Sequence, residues 1–129
     1  MRRFITEAEG LPGLSAPISH AAVVDNLCFV SGQLSVASDG SYVPGTIQEE
    51  AARAFDNVFA VLRAAEFTPE DICFVQIDFA DLGDAAAVNA IFAERFPPGR
   101  RPARTIAQAA ALPFGGKIKV VAIAAKERH

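Results

Sequence analysis

Residues 21–32, Ala-Ala-Val-Val-Asp-Asn-Leu-Cys-Phe-Val-Ser-Gly, decide the fold class. Ala21 to Val24 and Leu27 to Ser31 are two apolar runs. Asp25-Asn26 between them is turn chemistry of the hairpin kind, and Gly32 breaks the second run. Upstream, Phe4 to Ala8 has the length and composition of a short strand. Gly10, Pro12, Gly13 and Pro17 then impose an irregular segment. Downstream, after Ser38-Asp39-Gly40-Ser41, Thr46 with Glu49 three residues later reads as a capping box. Ile47, Ala51, Phe55, Val58, Leu62 and Ala65 follow at helical spacing, which predicts one helix with a single apolar face.

Thr68-Pro69-Glu70-Asp71 reads as one capped turn, and Ile72 to Phe79 as a strand rich in Ile, Val and Phe. Asp84 is placed to cap a second helix whose Val88, Phe92 and Ile91 face inward and which Pro97-Pro98 ends. Arg104 to Leu112 and Lys117 to Ala125 read as two closing strands around a Gly115-Gly116 turn. The expectation is an α+β chain with one mixed sheet and both helices on one face. Nothing is left over to cover the other sheet face, so a second subunit is expected to do so.

The bulk composition agrees and excludes several functions. A chain of 129 residues with 51% hydrophobic and 21% charged residues can bury a core without metals or disulfides. A net charge of -3 offers no field to a polyanion, so nucleic acid is not the expected partner. Arg2 and Arg3 are followed by Glu7, Glu9, Gly10 and Pro12 rather than an apolar signal core, and no stretch approaches the length needed to span a bilayer. A cytoplasmic protein without a membrane partner is expected. Cys28 and Cys73 lie inside apolar runs without ligand spacing and are expected as buried free thiols. With only His20 and His129 as imidazoles, a metal is not expected.

Generic catalytic motifs are nearly absent. Ser19, His20 and Asp25 invite a hydrolase triad, but neighbours on an extended segment point to opposite sides. His20 can line a cleft or simply hydrogen-bond backbone. Ser31-Gly32-Gln33 can expose backbone N–H groups to an anion, although ordinary strands also stop this way. Arg104 is the more telling residue, because it enters a segment that is otherwise small or apolar. It must find an anion, either a protein carboxylate or a ligand carboxylate gripped by its two-pronged fork.

Taken together, Asn26 to Gln33, Val88-Asn89-Ala90, Arg101-Pro102-Ala103-Arg104-Thr105 and Ala122-Ile123-Ala124 resemble the RidA/YjgF family in order and spacing. The resemblance covers most of residues 1–129, read as one RidA-like domain. It implies a chorismate-mutase-like fold, a homotrimer, and hydrolysis of reactive enamines and imines such as 2-aminoacrylate to a 2-keto acid and ammonia, without a cofactor. By the same resemblance Arg104 grips a small carboxylate metabolite between subunits, Ser31 and Gly32 lie near the reacting carbon, and Asn89 and Phe92 lie near the pocket. His20 is the remaining group for proton transfer. The ribonuclease role attached by name to some relatives fits poorly with the acidic balance.

Three positions depart from the family pattern. Val121 stands where deaminating members carry a glutamate, Ile18 where a tyrosine often sits, and Ile106 where many have cysteine. Either the pocket still orients a water on backbone groups, or its aliphatic walls select a larger, more apolar carboxylate or a different enamine-like substrate.

Overall fold

A computed structural model describes residues 1–127. Its strands are β1 (Arg2–Ile5), β2 (Ala21–Val24), β3 (Leu27–Gln33), β4 (Ile72–Phe79), β5 (Ala103–Gln108) and β6 (Ile118–Ala125), and its helices are α1 (Ile47–Ala64) and α2 (Ala85–Arg95). All six strands form one sheet in the order β1-β2-β3-β6-β4-β5. Every pairing is antiparallel except β4 with β5.

The hairpin turns at Asp25, whose φ of 53° is the left-handed conformation such a turn needs. The Thr46 capping box forms as expected: Glu49 N–H donates to Thr46 Oγ1 at 3.2 Å, and Thr46 N–H donates to Glu49 Oε1 at 2.9 Å. Thr68 N–H likewise donates to Asp71 Oδ2 at 2.8 Å in a single 3-10 turn. Ala51, Ala54, Phe55, Val58, Val61 and Leu62 of α1 and Val88 and Phe92 of α2 bury against one face of the sheet, on Val30, Val75, Ile77, Val120 and Ala122.

Several expectations need correction. β1 begins at Arg2, not Phe4, because Arg2 to Ile5 pair with β2 along its whole length. Gly32 does not end β3. The strand runs on to Gln33 through a register shift between Val30 and Gln33, a bulge that sets two residues opposite one. β5 stops at Gln108, and β5 and β6 are not hairpin partners. β6 enters between β3 and β4, where its apolar residues are sheltered, and β5 takes the edge. Asp84 makes no side-chain cap on α2. Asp81 instead accepts from Gly83 N–H at 2.9 Å and opens a 3-10 turn that leads into the helix. Cys28 is buried but Cys73 is exposed, since a second register shift between Ile72 and Phe74 turns its side chain outward, with Sγ 3.4 Å from the Ile123 carbonyl oxygen.

No helix among the described residues is long and apolar enough to cross a membrane.

Candidate functional site

Two groups of the expected residues form, on opposite faces of the sheet. Arg104 pairs in register with Val75, so its side chain leaves β5 on the helix side. Its Nη1 donates to Asn89 Oδ1 of α2 at 2.8 Å, and its guanidinium carbon lies 4.9 Å from the centre of the Phe92 ring. Asn89 fixes one edge of the fork and Phe92 supports its plane. No carboxylate among the described residues lies within ion-pair distance of Arg104, so the donors facing solvent are unspent. Ile106, two residues along, shares that side and is 37% exposed.

The second group surrounds the β3 bulge on the open face. Ser31 and Gly32 lie between the Val30–Ala122 and Gln33–Val120 pairs, which places them opposite Val121 of β6. Ser31 Oγ donates to the Ser19 carbonyl at 2.6 Å. A cleft of about 390 Å³ opens beside it, lined by Phe4, Ile18, Ala22, Phe29 and Ser31 among others. Ile18 is 55% exposed there. Phe4 and Ala22 carried no motif in the sequence, and Phe29 was read only as part of the Asn26 to Gln33 stretch; the alternation of β1, β2 and β3 was the signal that could have placed all three on this face.

His20 lies beside the second group. Its ring is buried, with Nε2 2.9 Å from the Pro12 carbonyl oxygen, while its own backbone joins the Ile5 carbonyl and the Ser31 N–H. Because a carbonyl only accepts, Nε2 carries the proton, and the ring fastens the 11–20 segment beneath the cleft. His129 lies outside the described residues.

Two polar clusters escaped the sequence reading. On the open face Lys119 pairs with Asp78 of β4, Nζ to Oδ2 at 3.4 Å, and Gln76 Nε2 lies 3.3 and 3.4 Å from the two oxygens of Asp78. The Lys119 stem crosses Gly32 so closely that a Cβ there would stand 2.8 Å from Cδ. A charge inside each of two apolar strands, β4 and β6, was the only signal. At the end of the sheet, fully buried Glu50 accepts from Tyr42 Oη at 2.8 Å, Lys117 N–H at 3.2 Å and Lys117 Nζ at 3.2 Å. Burial pushes this carboxyl up, but these donors and the Gly45 N–H outweigh burial and hold it below the usual carboxylate range.

Arg104 and Ser31 are three strand spacings apart, about 14 Å at roughly 4.8 Å each. One copy of the chain therefore cannot bring them to one small ligand.

The profile of the Endoribonuclease L-PSP family matches residues 11–126. A goat (Capra hircus) protein called 2-iminobutanoate/2-iminopropanoate deaminase is 37% identical over 125 residues, covering 96% of this chain and 90% of that protein. Among solved structures, a putative endoribonuclease from Thermotoga maritima superposes with a TM-score of 0.92 at 36% identity, covering 99% of this chain and all of that one. A protein of unknown function of the conserved Rid family from Yersinia pestis gives 0.91 at 27% identity over 98% of this chain and all of its own. The sheet order, the two helices and these matches agree with the motifs around Ser31 and Arg104: this chain belongs to the RidA/YjgF family, the Endoribonuclease L-PSP family of the matching profile.

Proposed function

We infer that this chain hydrolyses reactive 2-imino acids or their enamine tautomers, of the 2-aminoacrylate type, to 2-keto acids and ammonia. The observation that carries this reading is Arg104, braced by Asn89 and Phe92 yet lacking any carboxylate partner among the described residues. A guanidinium fixed on two sides and open on the third is preorganised for a ligand carboxylate, which accepts two parallel N–H bonds. The goat relative's name points to the same chemistry.

A homotrimer completes the site in this reading. One copy supplies Arg104, Asn89, Phe92 and Ile106, and a neighbour supplies the Ser31-Gly32 bulge with Ile18 and Val121. Phe4, Phe29, Phe74 and Ile123 give the open face the apolar character that a neighbouring copy would cover. His20, with its Nε2 proton given to Pro12, acts here by holding the cleft wall rather than by moving a proton.

A second reading is favoured by the walls of the cleft. Ile18, Phe4, Ala22 and Phe29 surround it, and Val121 opposite the bulge cannot hydrogen-bond water. Such a surface rewards a larger, more apolar carboxylate, held without turnover or as a different enamine-like substrate.

One experiment separates the two. 2-Aminoacrylate is generated in place by a dehydratase, and keto-acid release is followed for the wild type and for Arg104→Ala. Faster release by the wild type, lost in Arg104→Ala, is the expected result. No acceleration, together with thermal stabilisation by aromatic or branched carboxylates, would establish the binding role instead.

A further inference from the structure

Imine hydrolysis needs a group that takes a proton from the attacking water, and neither Ser31 nor Val121 is suited to it. Ser31 Oγ already gives its proton to the Ser19 carbonyl, and Val121 is a hydrocarbon. Of the side chains that β3, β6 and β4 turn to the open face beside the bulge, the charged pair is Asp78 and Lys119. Lys119 stands two residues before Val121 on the same face and lays its stem across Gly32. Its ammonium reaches Asp78 at 3.4 Å, looser than the roughly 2.7–2.9 Å of a tight charged hydrogen bond, so it keeps donors for water. Gln76 holds the carboxylate from its own strand, and Asp78 is only 14% exposed.

We propose that Asp78 and Lys119 are the acid–base pair of this site: Lys119 holds the attacking water over Gly32, and Asp78 receives its proton. The proposal rests on the imine-hydrolase reading above. The iminium form of the substrate carries its carboxylate on Arg104. Water oxygen bonds to C2 as the C=N π pair moves to nitrogen, and one water proton passes to Asp78. Asp78 returns that proton to the nitrogen, making an ammonium leaving group. The C–N bond then breaks as the hydroxyl oxygen forms C=O, and the hydroxyl proton leaves through Asp78 to the departing ammonia. Iminium and water thus give keto acid and ammonium ion with no other reactant.

The test compares wild type, Asp78→Asn, Lys119→Met and Lys119→Arg in keto-acid release from 2-aminoacrylate generated in place. Thermal stabilisation by 2-oxobutanoate reports in parallel that the ligand site is intact. Asp78→Asn should lower turnover about 100-fold or more while 2-oxobutanoate still stabilises it as it does the wild type. Lys119→Met should lose about tenfold, and Lys119→Arg should keep most of the wild-type rate, because a guanidinium can still donate to water and Asp78. Wild-type turnover in Asp78→Asn overturns the proposal and leaves the hydrolase reading standing. A wild type that binds 2-oxobutanoate but releases no keto acid overturns both. Should Asp78→Asn not fold, the lysine variants decide: equal rates for Lys119→Met and wild type overturn the pairing.

Discussion

Arg104 and Asn89 are joined by a 2.8 Å hydrogen bond from Nη1 to Oδ1, which ties an exposed edge strand to the second turn of α2. Without it the guanidinium would sample several rotamers on the surface. Asn89→Ala is therefore expected to weaken carboxylate binding about 5- to 20-fold through lost preorganisation, with little change in stability. Arg104→Ala should weaken it about 100-fold, the loss of a charge-assisted pair. Titration with 2-oxobutanoate by calorimetry checks both. Equal affinity for Asn89→Ala and wild type would dismiss the bracing role.

The proposed trimer would assemble through the open sheet face. Sedimentation should find three 13.6-kDa chains per particle for the wild type. Phe29→Asp puts a charge at a 42%-exposed aromatic on that face and should shift the mass toward a single chain. A wild type that sediments as a monomer at micromolar concentration would refute the trimer.

Glu50 ties acid stability to one buried carboxylate. Its folded-state pKa is depressed, so its contribution is present above the ordinary carboxylate value of about 4.3 and is lost as pH falls through the lower, folded value. Glu50→Gln should cost about 2 kcal/mol at neutral pH, and the gap to wild type should close as pH falls through the depressed folded-state value. Tyr42→Phe removes one donor and should cost about 1 kcal/mol. Urea unfolding at several pH values measures both; a gap that widens in acid would contradict the assignment.

The two thiols should differ sharply. Burial pushes Cys28 up to about 11, only partly opposed by Arg3 and Lys126, so its thiolate is scarce at neutral pH. Cys73 is exposed. An aromatic disulfide reagent should label Cys73 first, with Cys28 reacting only on unfolding. Rapid labelling of both in the native protein would show that the β3 region opens.

How far the sequence could be read follows from which forces are local. The hairpin at Asp25 and the capping box at Thr46 depend on a few adjacent residues, and both form where those residues predict. Strand partnership does not. β5 and β6 both read as apolar closing strands, and only the assembled sheet puts β6 inside and β5 at the edge. Cys73 was misplaced for the same reason, since a register shift against β6 turned it outward. At the site, Arg104 stood out as a lone charge in a small, apolar segment. Asp78 and Lys119 did not, because they become neighbours only through the β4–β6 register, which pairs residues 41 positions apart.

β5 is hydrogen-bonded on one side only, and all six of its residues are exposed. Such a border is a template on which other chains can stack into fibrils, a hazard that proteins blunt with prolines and charges. Pro102 stands immediately before the strand and Arg104 is its second residue. In the proposed reading, the guanidinium that meets the ligand carboxylate doubles as a gatekeeper against cross-β aggregation. Replacing it with an aliphatic residue is expected to leave the chain more prone to aggregate, beyond any loss at the proposed ligand site.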